Sequence, residues 1–201
     1  MSEANSIPEQ IKQYYNRGLL AFEKKNYDYA IELFGQSLSQ KKDFADARHY
    51  LHLAEQRKFQ ENPAVTFSVL LNKVKNIFIL LKALFLDVKN LSYQAIDEYE
   101  KILTGEPNNI YVLTRLAQDL LKERDTLSAL KVFEEIKMLD AANLIALRNL
   151  GKLYSQMDNY ASARGCYEAI LKFIPHDPEA EKGLKNIDAL GTIKESFGSS
   201  R

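Results

Sequence analysis

Small and apolar residues repeat along the second half of the chain with a period of 34. Ala95, Ala129 and Ala163 follow one another at this period, and an aromatic residue follows each of them four positions later. A spacing of four places the alanine and the aromatic residue on one face of a helix. A fixed period of this length indicates a repeat architecture, in which each unit packs only on its neighbours.

The pattern predicts two helices in each unit. Ala117 and Gly151 show that a small residue also recurs in the first helix of the unit. Small residues let two helix backbones approach closely, and the aromatic side chain of the second helix fills the space beside them. Pro107 and Pro175 stand where the second helix should end, because proline cannot continue a helix.

The N-terminal part of the chain supplies a further copy. Gly18 and Ala30 take the positions of the small residues, and Phe34 takes that of the aromatic residue. Adding one period to Ala30 gives Ala64, but the step from Ala64 to Ala95 is shorter than the period by three positions. Three residues are therefore missing between the second and the third copy.

This unit, with a small residue in both helices and an aromatic residue in the second, resembles the tetratricopeptide repeat (TPR) family. The resemblance implies an all-α solenoid of about five helix pairs plus a C-terminal capping helix, about eleven helices in all, with no sheet. The predicted segments are a disordered N-terminus at 1–10, repeats at 11–44, 45–75, 76–109, 110–143 and 144–177, a cap at 178–190 and a disordered tail at 191–201.

The segment 64–89 is unusually apolar, with 17 apolar residues in 26 and neither glycine nor proline. One interpretation is a tight turn near 72–76 between two buried helices. The other is a single helix that runs from repeat two into repeat three, since nothing in the sequence interrupts it. Several charges argue against a membrane-spanning helix, because each costs ~2.5–3.5 kcal/mol at mid-bilayer.

Lys75, Lys82 and Lys89 recur at every seventh position along one edge of this segment. They fit an amphipathic helix that lies on a membrane surface. The interpretation we favour is that they form the solvated edge of a helix that is otherwise buried.

A continuous helix over 64–89 would carry an apolar stripe that the repeats of one chain cannot cover. An exposed patch of that size is rare on a monomer, so the sequence predicts a homo-oligomer in which two chains pair over this segment. The predicted self-association residues are Val74, Ile77, Phe78, Leu81, Leu84, Phe85 and Val88.

In the TPR family, the first helices of the repeats line a concave groove that holds a peptide or helix of a partner. The resemblance therefore implies a partner-binding groove. Its predicted residues are Tyr15, Asn16, Leu19, Phe22, His49, Tyr50, Leu53, Tyr111, Arg115, Gln118, Lys122, Arg148, Asn149 and Lys152. The lining changes from aromatic to aliphatic to basic, which suits an acidic amphipathic segment of another protein.

The chaperone-binding members of the family hold a C-terminal carboxylate with a fixed set of Lys, Asn and Arg residues. This chain departs from that pattern. Tyr15 and Leu19 stand where Lys and Asn are needed in the first repeat, and Tyr50 replaces an Asn in the second. The departure argues against a co-chaperone of this kind.

Charge and cysteine content narrow the functional classes. Lys+Arg and Asp+Glu are both 27, so the chain lacks the basic excess of a typical nucleic-acid-binding protein. The single cysteine, Cys166, fits a reducing compartment, and the polar N-terminus lacks the pattern of a signal peptide. We therefore expect a cytoplasmic protein that does not bind nucleic acid.

Candidate chemistry is sparse. His49 and His52 are three positions apart on a predicted helix, with Asp46 one turn earlier, but a metal site needs further ligands in a suitable geometry. No phosphate-binding loop, metalloprotease motif or nucleophile elbow is present in the sequence. We expect no catalytic residues, no metal and no cofactor.

The leading hypothesis is a non-enzymatic scaffold or adaptor that binds a partner polypeptide in its groove and self-associates. One alternative is a peripheral membrane protein attached through 64–89. Another is a TPR-type chaperone of bacterial secretion systems, although those usually have about three repeats.

Overall fold

The computed structural model describes the backbone of residues 7–61 and 66–198, and the side chains of residues 7–61 and 74–190. The described backbone contains ten helices and no strand, which confirms the all-α prediction. The helices are α1 (Glu9–Glu23), α2 (Tyr27–Gln40), α3 (Ala45–Glu61), α4 (Thr66–Val88), α5 (Ser92–Leu103), α6 (Ile110–Lys122), α7 (Thr126–Leu139), α8 (Leu144–Gln156), α9 (Tyr160–Phe173) and α10 (Pro178–Gly198).

The repeat period is visible in the backbone as well as in the sequence. Asn90, Arg124 and Asp158 follow one another at the same period as the alanines. All three have a left-handed conformation, with φ between 56° and 62°. Each one ends the turn after a first helix, where the chain reverses. Lys25 does the same after α1, with φ of 58°.

Polar caps recur at the same period. Asn109, Asn143 and Asp177 precede α6, α8 and α10, and the side chain of each accepts a hydrogen bond from the backbone N–H three positions later. Such caps satisfy N–H groups that have no partner inside the helix. The capping helix α10 therefore begins in the register of a further first helix.

The main departure from a regular array is α4. It runs from Thr66 to Val88 without interruption, so the predicted boundary between repeats at 75 and 76 falls inside one helix. The continuous-helix interpretation of this segment is confirmed, and the tight turn near 72–76 is wrong. The fusion of two expected helices also explains why ten helices are present in the described part of the chain rather than about eleven.

The chain forms two compact units, Met1–Lys131 and Val132–Arg201. In the first unit, a core between α1, α2 and α3 consists of Ala21, Ala30, Leu33, Phe34, Leu51 and Ala54. The predicted close approach is present, because a Cβ added to Gly18 would lie 2.6 Å from the Phe34 ring.

The predicted disorder of residues 1–10 is wrong for the part of that segment that is described. Ile7 is buried in a small cluster with Ile11, Phe44 and Ala47, and α1 already begins at Glu9. Burial of this apolar side chain stabilises the start of the chain.

In the second unit, α8, α9 and α10 pack around Tyr167. A Cβ added to Gly151 would lie 2.7 Å from this ring, and one added to Gly183 would lie 2.5 Å from it. Helix α10 continues to Gly198. The cap is therefore longer than the predicted 178–190, and most of the tail predicted to be disordered at 191–201 is helical.

Candidate protein-binding surface

The described half of α4 presents an apolar face to solvent. We call this face the α4 stripe, and it consists of Val74, Ile77, Phe78, Leu81, Phe85 and Val88. These side chains are between 49% and 83% exposed. On the opposite face, Ala83 and Asp87 are buried where α4 packs against the rest of the first unit. Leu84, the seventh predicted self-association residue, is half-buried at the edge of the stripe.

Lys75, Lys82 and Lys89 border one edge of the α4 stripe, and all three are exposed. The ammonium of Lys82 lies 2.7 Å from a carboxylate oxygen of Glu98, which also accepts from Lys101 at 2.8 Å. The ammonium of Lys89 lies 4.7 Å from the centre of the Phe85 ring. Although burial alone would raise it, the pKa of Glu98 is held below its ordinary value by hydrogen bonds from Lys101 and Lys82.

A pocket of about 250 Å³ adjoins the other edge of the α4 stripe, between α4, α5 and α6. It is lined by Asn76, Ile77, Leu80, Ile102, Glu106, Asn109 and Val112. The Glu106 carboxylate accepts hydrogen bonds from the side-chain amides of Asn76 and Asn109, each at 2.9 Å. These bonds fix α4 against the start of α6, and Ile77 belongs both to the pocket and to the stripe.

The C-terminal end of α4 is tied to α6 by ion pairs. The buried carboxylate of Asp87 contacts both Arg115 and Lys122, and Lys122 also lies 2.8 Å from Asp119. The two predicted groove cations of the first unit, Arg115 and Lys122, therefore form ion pairs with carboxylates of the same chain. Of the other predicted groove residues on α6, Tyr111 is exposed and Gln118 is half-buried.

The predicted aromatic end of the groove is packed inside the first unit. The ring of Tyr15 lies 4.9 Å from that of Phe44 and 6.0 Å from that of Tyr50. The Tyr50 ring also lies 5.9 Å from that of Phe22. Burial raises the pKa of Tyr15. These side chains therefore contribute to the packing of α1, α2 and α3 more than to an open surface.

The remaining predicted groove residues of α1 and α3 differ in exposure. Asn16 is exposed, whereas Leu19 and Leu53 are half-buried. The His49 ring packs edge-on against Tyr50 at 5.5 Å.

A polar cluster between α3 and α5 was not expected from the sequence. Arg48 donates to Glu100 at 2.9 Å, to Ser128 at 2.8 Å and to Asp125 at 3.2 Å. His52 Nε2 lies 2.9 Å from the second oxygen of Glu100. Burial alone would raise the pKa of Glu100, but the neighbouring His52 and Arg48 lower it from 4.5 to about 2.

The residues considered for a metal do not converge. His52 binds Glu100, and Asp46 forms an ion pair with Lys131 at 2.7 Å. Among the described residues, no group of three or more His, Cys, Asp and Glu side chains has the geometry to hold a metal ion.

The polar cluster between α3 and α5 has no simple signal in the sequence, because Arg48 and Glu100 are 52 residues apart.

In the second unit, the predicted groove cations face carboxylates at the start of α10. Arg148 binds both oxygens of Asp177, at 2.7 and 2.9 Å, and binds Glu179 at 2.8 Å. Lys152 lies 2.6 Å from Glu179. The hydrogen bonds from Arg148 lower the pKa of Asp177 to about 2. Asn149 donates to the backbone carbonyl of Ile145 within α8.

No helix in the described part of the chain has the length and apolar character needed to cross a membrane. This finding includes the described portion of α4, whose apolar face is bordered by lysines.

No protein-family model matches the sequence, and no curated protein matches it. Solved TPR domains do match the structure. The first TPR of Spaghetti (RPAP3) bound to the HSP90 peptide SRMEEVD gives a TM-score of 0.53 at 20% identity, over 59% of this chain and 94% of that one. The Sgt2 TPR domain from Aspergillus fumigatus gives 0.52 at 18% identity, over 63% and 85%.

A longer match is the P58(IPK) TPR domain, with a TM-score of 0.51 at 17% identity. It covers 92% of this chain but only 56% of the other one. At these identities the likeness establishes the fold. The chain is an all-helical protein with the TPR fold, as the repeat period predicted.

Proposed function

We propose that the protein is a non-enzymatic adaptor that binds a segment of another polypeptide. The observation that carries the proposal is the α4 stripe, because contiguous apolar surface bordered by charge is typical of a protein-binding site. Helix α6, which is the first helix of its repeat, would contribute Tyr111 and Gln118 beside the α4 stripe. The match to TPR domains solved with peptides supports a role in binding, and the expected cytoplasmic setting stays a prediction.

The mode of binding should differ from the peptide complexes among those neighbours. The RPAP3 domains were solved with peptides that end in EEVD. In this chain Tyr15 and Tyr50 stand at positions needed for a carboxylate clamp, but their rings pack against each other, and the Tyr15 ring also packs against Phe44. We therefore propose that the chain binds the apolar face of its partner rather than a terminal carboxylate.

The test is a pull-down of natural partners with matched surface variants. Ile77→Asp with Leu81→Asp should lose the partners that the unmodified chain retains. Met138→Asp is the control, because Met138 is an 85% exposed apolar side chain elsewhere. Circular dichroism should show unchanged helix content in both variants. If the double variant keeps every partner, the α4 stripe is not the binding site.

Self-association is the second candidate, and the stripe itself favours it. Val74, Ile77, Leu81, Leu84 and Val88 follow the three- and four-residue spacing through which two helices pair. Light scattering over a dilution series tests it on the unmodified chain. A measured mass that equals the mass of a single chain at every concentration would rule out a homo-oligomer.

A further inference from the structure

We infer that the occupant of the α4 stripe is an amphipathic helix of a different polypeptide, with acidic residues along the edge that faces Lys75, Lys82 and Lys89. The inference rests on the proposed adaptor function and specifies its partner. The observations behind it are the repeat register, the spacing of the lysines and the symmetry of helix pairing.

The repeat register indicates that the occupant is a helix. Phe78 and Lys82 correspond to Val112 and Leu116 of α6, one period later. Val112 and Leu116 are buried, and α6 packs against the preceding helix α5. The corresponding side of α4, at Phe78 and Lys82, is open because the helix that should precede it is continuous with α4. Ile77 and Leu81 correspond instead to Tyr111 and Arg115, which are exposed and half-buried in α6. The Phe78 side of the stripe is therefore where a second helix can take the place of the missing one.

The lysine spacing indicates acidic side chains on that helix. A step of seven is close to two helical turns, so the three ammonium groups lie in one row beside the α4 stripe. Glu98 neutralises Lys82, but among the described residues no carboxylate lies within ion-pair distance of Lys75 or Lys89. Carboxylates at the same spacing on a partner helix would meet this row.

A second copy of the chain does not supply these carboxylates. In an antiparallel two-fold pair, identical edges of the two helices face each other, so one lysine row would lie against the other. In a parallel pair, the lysine row would face the other edge of the stripe, beside Leu80 and Leu84. The carboxylate beyond that edge, Asp87, is buried and already bound by Arg115 and Lys122.

The pocket beside Ile77 and Leu80 supplies an anchor on the other edge of the stripe. Its volume of about 250 Å³ and its apolar lining by Ile77, Leu80, Ile102 and Val112 suit an aliphatic side chain. A helix that places leucine or isoleucine in this pocket can set its acidic edge over the lysine row.

The test uses two synthetic three-heptad amphipathic peptides with the same apolar face. One carries Glu at every seventh position along one edge, and the other carries Lys at those positions. Fluorescence anisotropy with the full chain should show that the Glu peptide binds about tenfold more tightly or better, as expected for complementary charges at an interface. The preference should shrink at about 0.5 M salt, because screening weakens exposed charge pairs.

The decisive variant is Lys75→Glu with Lys89→Glu, which leaves the Lys82–Glu98 pair intact. It should reverse the preference between the two peptides. Lys24→Glu with Lys172→Glu makes the same change in net charge at exposed lysines that do not belong to α4 and should leave the preference unchanged. Equal binding of both peptides, or a preference that the decisive variant does not alter, would overturn the inference.

Two further measurements identify a different occupant. A dimer of the free chain that is lost in Ile77→Asp with Leu81→Asp would assign the stripe to a second copy. Sedimentation with phosphatidylserine vesicles, lost in Lys75→Glu with Lys89→Glu and without peptide binding, would assign it to a lipid surface. Either result overturns the inference. If natural partners still depend on Ile77 and Leu81 but the peptides show no charge preference, the adaptor function stands and only the acidic helix is wrong.

Discussion

Helices α4 and α6 occupy the same place in successive repeats, yet their surroundings differ sharply. Phe78 and Lys82 of α4 correspond to Val112 and Leu116 of α6. Phe78 is 69% exposed and Lys82 is on the surface, whereas Val112 and Leu116 are at most 1% exposed. Position within the repeat therefore does not determine burial. Burial depends on whether a separate helix precedes the position and packs over it.

The missing three residues explain the difference. Helix α6 is preceded by α5, and the turn between them lets α5 pack back against α6. Helix α4 is continuous from Thr66 to Val88, so its N-terminal part cannot fold back over its C-terminal part. The shorter connection thus exposes Phe78 and Lys82 at positions that are buried in the next repeat.

The largest expected difference is in the cost of truncating one leucine in each helix. Leu116→Ala should destabilise the protein by about 2–5 kcal/mol, because it removes a fully buried side chain and leaves a cavity. Leu81→Ala should change stability by only about 0.5 kcal/mol or less, because Leu81 is 58% exposed. Urea unfolding followed by circular dichroism measures both. Similar losses at the two positions would mean that the α4 stripe is covered in solution.

The next prediction concerns α8, which is the first helix of a repeat in the second unit. Gly151→Ala should destabilise by roughly 1–3 kcal/mol, because the added Cβ would lie 2.7 Å from the buried Tyr167 ring. Gly165→Ala is the matched control on α9, where a Cβ meets no atom within 4 Å. It should stabilise the helix by about 0.5–1 kcal/mol. Thermal unfolding of the two variants should therefore shift in opposite directions.

The next effect concerns the polar contact between α3 and α5. The folded-state pKa of Glu100 is about 2, below its ordinary value of 4.5. A depressed carboxyl pKa stabilises the folded state above the ordinary pKa, and that contribution is lost as the pH falls through the folded-state value. We expect the free energy of unfolding to drop by roughly 2–3 kcal/mol between pH 4.5 and 2 through this group.

Glu100→Gln provides the control for that pH dependence. It should lower stability at neutral pH and flatten the decline between pH 4.5 and 2, because the variant side chain does not titrate. An unchanged acid profile in Glu100→Gln would mean that Glu100 is not ionised beside Arg48 and His52. Glu123→Gln, at a carboxyl outside this cluster, should retain the wild-type profile.

The fold was predictable because the closest helix contacts permit few residue types. Gly18 and Gly151 must be small where the rings of Phe34 and Tyr167 pack against them, and this requirement recurs at the repeat period. The exposed face of α4 was also predictable once the segment is a single helix. The N-terminal caps carry a sequence signal too, since Asn or Asp recurs at 109, 143 and 177.

The electrostatic partners were not predictable from the sequence. Arg148 has the pattern of an exposed groove cation, but it binds Asp177, 29 residues away. Arg48 binds Glu100, 52 residues away, because α3 and α5 approach each other. Such pairs depend on which helices meet and on the lengths of the side chains, and neither follows from a periodic pattern. The groove cations proposed from repeat position are therefore all paired within the chain.

The smallest expected effect tests whether the lysine edge of α4 is solvated. Lys82 and Glu98 are 2.7 Å apart, and the corresponding position in α6 is the buried Leu116. If Lys82 lies in solvent, a double-mutant cycle with Lys82→Gln and Glu98→Gln should give a coupling of about 0.2–1 kcal/mol. The coupling should fall at high salt, because screening acts on exposed pairs.

The control is a parallel double-mutant cycle with Lys101→Gln and Glu98→Gln. It should give a similar coupling, since Lys101 also binds Glu98 at 2.8 Å. A coupling several times larger for Lys82, and unaffected by salt, would mean that another helix already covers this edge in solution, so that α4 and α6 are buried alike.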